Sequence, residues 1–193
     1  IARMLTGDID VHRAGCAITP EHAQRLWSVV PEAGQALAEH AIDLVDRFVP
    51  GDELLLRLDA AMPAPARLAA PAWRALLADR VRRRPAPGPL SQTNLFEQLT
   101  AFLCALARRR PLILLVDDLQ WADAGTTSLL FHIGRRLAGH RILIVGAYRS
   151  DEVAHASDGA RHPLAAIIRE FQREFGDILL HLDRHLAWFV QQY

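Results

Sequence analysis

Between Pro111 and Asp123 the chain reads PLILLVDDLQWAD, and no other stretch limits the choice of fold as much. Five apolar residues, Leu112 to Val116, run without a polar break into Asp117 and Asp118. A run of that length closed by polar residues predicts a strand buried on both faces, as in the middle of a parallel α/β sheet. Ligands of such sheets bind beyond the carboxyl ends of the strands, where both aspartates stand. Two carboxylates there suit a divalent cation. Asp is also a common turn residue, so the run alone leaves open a strand that simply enters a turn. Two neighbours weigh against the plain turn. Trp121 and a third carboxylate, Asp123, stay close to the pair, and a second apolar run, 142–145, leads into Arg149.

The surrounding pattern extends the argument. From Ser91 onward the sequence predicts helix, strand, helix, strand, helix, strand: helices over about 91–110, 126–138 and from Pro163 to Gly176, strands over 112–116, 142–145 and 178–182. In the first of these helices, Asn94 is the expected cap, with Glu97 its reciprocal partner. That alternation means a parallel sheet with right-handed crossovers. Before it, the chain reads as helix only. Thr19-Pro20-Glu21 is a helix start, with Thr as N-cap and Pro at the first helical position. A second helix is expected over 32–48, with Leu37, Ala41, Leu44 and Phe48 inward, and a third over 52–61. Residues 62–71 read as a loop, residues 73–84 as a helix with Leu76, Leu77 and Val81 inward, and 150–161 as a polar loop. The expected organisation is a helical segment over 1–84, a Pro-rich linker over 85–90, an α/β part over 91–183 and a helical tail over 184–193.

Composition excludes several classes. The chain has 193 residues, a formal net charge of zero and 51% hydrophobic residues. A nucleic-acid-binding domain carries a basic excess, so direct grip on DNA or RNA is not expected. No run approaches the roughly 18 apolar residues of a membrane span, and the first residues lack a signal-peptide core. A cytoplasmic location is expected. The first methionine is Met4, so the chain is expected to be part of something longer. Cys16 and Cys104 are far apart and form no paired motif, which fits buried free thiols and argues against zinc. The Arg82-Arg83-Arg84 run suits a solvated helix end better than a phosphate site. No G-x-S-x-G hydrolase elbow and no dinucleotide fingerprint occurs.

An aliphatic strand ending in Asp-Asp resembles the Walker B element of P-loop NTPases. LLVDDLQWAD, then a helix, then RILIVGAYRSDEV, resembles the ATPase module of large bacterial regulators of the AAA and STAND class. That class includes LuxR-type transcriptional activators and cyclase-linked ATPases. The likeness covers about 90–183, with Leu95 to Gln98 also fitting, and is looser over the helices before it. It implies ATP and Mg²⁺ as ligands. Asp117 would hold the ion through water, Asp118 would orient or activate the attacking water, and Arg149 would sense the γ-phosphate. It implies further domains of the same larger protein as partners.

One element of that family pattern is missing. The phosphate loop G-x-x-x-x-G-K-[ST] needs a lysine, and all the basic residues here other than histidine are arginine. The loop and its strand are expected before Ile1, or they have been lost. In the family that strand separates the sensor strand from the last one, so 142–145 and 178–182 would flank an empty slot. A sheet without its central strand exposes backbone and apolar surface, and this chain alone is expected to be poorly stable or prone to self-association. The fold expected is thus a partial P-loop α/β core with an all-helical N-terminal segment. The function expected is part of an ATP-binding or ATP-hydrolysing regulatory switch. The alternative is a degenerate NTPase-fold module that serves protein contacts. A phosphoacceptor receiver domain also starts with a strand ending in Asp-Asp, but no later strand ends in an acceptor aspartate and its lysine is absent.

Overall fold

Thr19 opens the first helix, as its sequence predicts, and its hydroxyl accepts from the His22 N–H at 3.2 Å. In the computed structural model, which describes residues 19–69, 71–84, 91–154 and 162–182, this helix (α1, Pro20–His40) continues through Pro31. The two separate helices expected here are therefore one. Proline within a helix costs about 3 kcal/mol, because it has no N–H for the carbonyl four residues back and its ring crowds that carbonyl. Val30 and Leu37 lie on either side of it, 0% and 1% exposed, and burial of each contributes about 1.5–3 kcal/mol. The buried stripe outweighs the break.

The helix also stops earlier than expected. A 3₁₀ turn, Ile42–Leu44, follows, and the Val45–Val49 bridge returns the chain on itself. Asp46 makes the reversal in the left-handed region (φ 66°), and its Oδ1 accepts from the Gly51 N–H at 2.9 Å. Phe48, expected inward, is 55% exposed as a result. Four more helices follow: α2 (Gly51–Ala61), α3 (Ala64–Leu68), α4 (Ala72–Arg83) and α5 (Gln92–Arg109). The short α3 falls inside the expected loop. Leu76, expected inward, is half exposed, whereas Leu77 and Val81 are buried. Ser91, not Asn94, caps α5; its Oγ accepts from the Asn94 N–H at 3.2 Å.

Helix α1 packs against α2, α4 and α5. Val30, Leu37, Val45, Leu54, Leu58, Leu77 and Phe102 fill the space between them. Gly34 leaves room for Leu58. A Cβ there would stand 2.5 Å from Leu58 Cδ2. Polar links seal the rim. Gln98 and Asp43 exchange two hydrogen bonds, and the Arg110 guanidinium meets both oxygens of Glu32 at 2.9 and 3.1 Å.

Strands β1 (Leu112–Val116) and β2 (Ile142–Gly146) form a two-stranded sheet. The Leu112 N–H donates to the Arg141 carbonyl at one end, and the Ala147 N–H to the Val116 carbonyl at the other. Starts pair with starts and ends with ends, so the strands are parallel. Between them runs α6 (Ala124–Gly134), and α7 (Ser150–Ala154) and α8 (Pro163–Phe175) follow β2. The α/β character predicted from sequence is thus present in part, as a small parallel sheet in a mostly helical chain.

Burial of the strands differs from expectation. Leu112, Leu114, Val116, Ile142 and Ile144 are half-buried, but Ile113, Leu115, Leu143 and Val145 are exposed. Side chains alternate across a strand, and only one face of this sheet is covered among the described residues. The expected strand 178–182 is not one. It makes no ladder, and Leu180 and Leu182 are exposed. An extended segment becomes a strand only where another strand takes its backbone hydrogen bonds, and none lies beside it among the described residues. The polar loop expected at 150–161 begins with α7, and the expected linker 85–90 and tail 184–193 lie outside the described residues.

The described chain divides into two compact units. One holds the residues up to 113 together with 136–143, the other 114–135 together with 144 onward. The second has its own small core. Leu119, Val153 and Leu164 are buried, and Val116, Leu130, Tyr148 and Ile168 pack on them. Helices α6 and α8 meet at Gly134, where a Cβ would stand 2.5 Å from the Phe171 ring.

Candidate functional site

The ladder between the strands ends with two bonds. Ala147 N–H donates to the Val116 carbonyl at 2.9 Å, and the Leu119 N–H donates to the Ala147 carbonyl at 3.0 Å. They bring the exit of β1 beside the exit of β2. Leu119 fills the space beneath, and Gly146 makes room for it: a Cβ at Gly146 would lie 2.4 Å from Leu119 Cδ1.

Asp117 and Asp118 stand at that exit, both exposed. Asp118 is left-handed (φ 53°, ψ 40°), a conformation Asp tolerates better than most residues. Its N–H donates to Asp117 Oδ1 at 2.9 Å. A 3₁₀ turn, Leu119–Trp121, follows and turns Gln120 inward, where it is 5% exposed. The Gln120 amide is satisfied at both ends. Its Nε2 donates to Asp118 Oδ1 at 2.9 Å, and its Oε1 accepts from the Arg149 N–H at 3.2 Å. The reverse orientation would set acceptor against acceptor and donor against donor, so the partners fix it.

The Gln120 carbonyl accepts from His162 Nε2 at 2.8 Å, while His162 Nδ1 accepts from the Leu164 N–H at 3.2 Å and caps α8. At the surface, Glu152 uses both oxygens. One takes Arg149 Nη1 at 3.1 Å, the other the Trp121 indole N–H at 3.1 Å.

The three residues singled out from sequence therefore differ in their relations. Asp117 and Asp118 are joined directly, Asp118 and Arg149 through Gln120. Asp117 and Arg149 share no hydrogen bond or ion pair among the described residues. Gln120, Glu152 and His162 carry the geometry and were not singled out from sequence. Gln120 lies next but one to the carboxylate pair, yet an amide has no titration or ligand preference to mark it. Glu152 had a readable signal, its three-residue spacing from Arg149 at the start of a helix.

Asp123 has a different task. It is the N-cap of α6, with Oδ1 accepting from the Thr126 N–H at 2.6 Å. That N–H, and after it the Thr126 hydroxyl, hold the Asp123 carboxyl below its usual range. A lowered folded-state pKa contributes stability above the unfolded value, about 3.9, and loses it as pH falls through the folded value. Asp123→Ala is accordingly expected to lower Tm at pH 7, with the gap to the wild type closing as pH falls below about 4. Thermal melts at pH 7 and pH 3 check this; an equal gap at both pH values would show that the charge is not what caps the helix.

The resemblance to P-loop NTPases implies a magnesium–triphosphate ligand at this exit. Mg²⁺ in such complexes takes one or two carboxylates, and waters and phosphate oxygens complete its shell. The exposed Asp117 and Asp118 fit that share. No group of three or more His, Cys, Asp or Glu residues able to hold a metal by itself occurs among the described residues. Nothing in the sequence fits the phosphate cradle, which requires a glycine-rich loop and a lysine. No described helix is long and apolar enough to cross a membrane.

A family model described as AAA ATPase domain matches residues 22–145, which spans α1 to β2 and includes both aspartates, while Arg149 lies just beyond it. No curated protein and no solved structure matches the chain significantly.

Proposed function

The chain belongs to the AAA ATPase domain family, and from that premise we propose that it supplies the cation and sensor side of an ATP-dependent regulatory switch. The observation that carries the reading is the joined exit of the two strands. There the carboxylate pair, Asp117 and Asp118, is tied to the Arg149 segment through one buried amide. On this reading Asp117 holds hydrated Mg²⁺. Asp118 accepts a hydrogen bond from the attacking water, using the oxygen that Gln120 leaves open. The Arg149 guanidinium, exposed and paired at the surface with Glu152, turns to the γ-phosphate. A surface ion pair of this kind is worth about 0–1 kcal/mol, so a phosphate can displace Glu152 at little cost. Bound Mg²⁺ neutralises phosphate charge and screens the oxygens from the incoming water.

The wider context is also proposed. The LLVDDLQWAD and GAYRSDEV segments support a STAND-type module within a larger bacterial regulator of the LuxR or cyclase-linked kind. Partners would be ATP and other domains of that protein, and the setting cytoplasmic. One observation favours a second reading, a degenerate module used for protein contacts: no lysine is present for a phosphate loop.

ATP turnover by the complete natural protein separates the two. Phosphate release that requires Mg²⁺ and stops with EDTA supports the switch. No release and no Mg²⁺-dependent nucleotide binding would leave the contact module as the better account.

A further inference from the structure

We propose that Gln120 is a positioning residue whose buried amide holds the Asp118 carboxylate in register with the Arg149 segment. The inference rests on the roles given above to Asp118 and Arg149.

The main-chain ladder stops at Ala147. Beyond it, no backbone hydrogen bond joins the segment after β1 to the segment after β2 among the described residues. Gln120 continues the ladder with a side chain. Its Oε1 takes the Arg149 N–H, as the carbonyl of a further strand residue would, and its Nε2 reaches Asp118 Oδ1. The second link, from Glu152 to Trp121 and Arg149, is made by side chains that water reaches; Trp121 is 72% exposed. Exposed pairs contribute little, so the register depends on the buried one.

Packing alone does not explain a glutamine here. Burying an amide is costly unless both ends are bonded, and a leucine would fill similar volume beside Leu119 without that cost. What leucine cannot do is meet a carboxylate and a backbone N–H together. Because each end of the amide is held, Asp118 and Arg149 constrain one another. A shift of the Arg149 segment pulls on the Asp118 carboxylate, and a change at Asp118 loosens the Arg149 amide.

Amide hydrogen exchange at Arg149 in the complete natural protein reads this coupling directly. Asp118→Gly suits the left-handed backbone and removes the carboxylate, whereas Asp118→Asn keeps both the conformation and an acceptor. The Gly variant is expected to speed Arg149 exchange about fivefold, the worth of one hydrogen bond, and the Asn variant to leave it unchanged. In a Gln120→Leu background, where the amide is already released, Asp118→Gly should add nothing. Unchanged Arg149 exchange in Asp118→Gly, or an equal added effect in the Gln120→Leu background, overturns the proposal.

Steady-state ATP turnover gives the second arm. Gln120→Leu and Gln120→Glu are both expected to lower kcat at least about tenfold with KM for Mg·ATP within about twofold, since Gln120 acts through Asp118 and touches no nucleotide. The Glu variant keeps the acceptor for Arg149 but sets a carboxylate against Asp118, so it separates register from simple volume. Wild-type kcat in the Glu variant, or KM rising in step with the fall in kcat, counts against the positioning role. Failure of the underlying reading looks different. In that case turnover is absent, or Asp117→Asn leaves it intact, while Arg149 exchange still follows Asp118 through Gln120.

Discussion

Asp117→Asn in the complete natural protein is expected to lower Mg²⁺-dependent ATP turnover by at least about 100-fold while leaving Tm unchanged. Changes to the groups that merely support metal ligands already cost about 10–100-fold, so loss of charge at the proposed ligand should cost no less. Asparagine keeps the size of the side chain and one oxygen that can accept from the Asp118 N–H, the bond Asp117 makes at 2.9 Å. The turn after β1 therefore survives, and only the anionic charge is lost. Asp117 is exposed, so the change opens no cavity. Turnover across a Mg²⁺ titration, beside a thermal melt, provides the check. A variant that hydrolyses ATP as the wild type does would remove Asp117 from the proposed metal site. A variant that loses both activity and Tm would mean that the charge supports the turn and not the cation.

The second large effect lies in the helical unit. Leu58→Ala is expected to destabilise the protein by about 2–5 kcal/mol, because Leu58 is 0% exposed and its removal leaves a cavity beneath α1. The facing residue makes the prediction sharper. Gly34→Ala alone should also destabilise, by about 1–3 kcal/mol, since its Cβ would meet Leu58 Cδ2 at 2.5 Å and Cδ1 at 2.9 Å. With Leu58 already cut to alanine, those atoms are gone. The same Gly34→Ala change should then stabilise by up to about 1 kcal/mol, because alanine is the better helix former. The sign of one substitution thus reverses with the identity of its neighbour. Urea unfolding of the two single variants and the double variant measures it as a coupling. Additive effects would show that Gly34 is not there to admit Leu58.

Much of this protein was legible in its sequence, and the legible parts share a cause. The start of α1 at Thr19, the end of α8 at Gly176 and the two aliphatic strands follow from forces acting over a few residues. Caps satisfy the orphan N–H groups of the first turn, and apolar spacing follows the period of each element. The Asp-Asp pair was legible for the same reason, being contiguous and carrying charge. The tail of that stretch was legible only in part. Asp123 belongs to the helix it caps, and a carboxylate close in sequence to the pair has no need to share its task.

What only the tertiary structure decided concerns competition between distant groups. Pro31 reads as a helix break until the buried stripe on both sides of it outweighs the local cost. Residues 178–182 read as a strand, yet no ladder forms, because a strand is a property of two segments and sequence shows only one. The exposed face of Ile113, Leu115, Leu143 and Val145 has the same origin: apolar runs tell that a strand prefers burial, not what stands beside it. Gln120 is the clearest case. In sequence it is one uncharged residue near two aspartates. Its importance comes from two partners, one two residues before it and the other 29 residues after it. The sequence by itself determined the chemistry available at the ends of the strands; the fold decided which of those groups hold one another, because the chain sets hydrogen-bond partners only once it has brought them within about 3 Å.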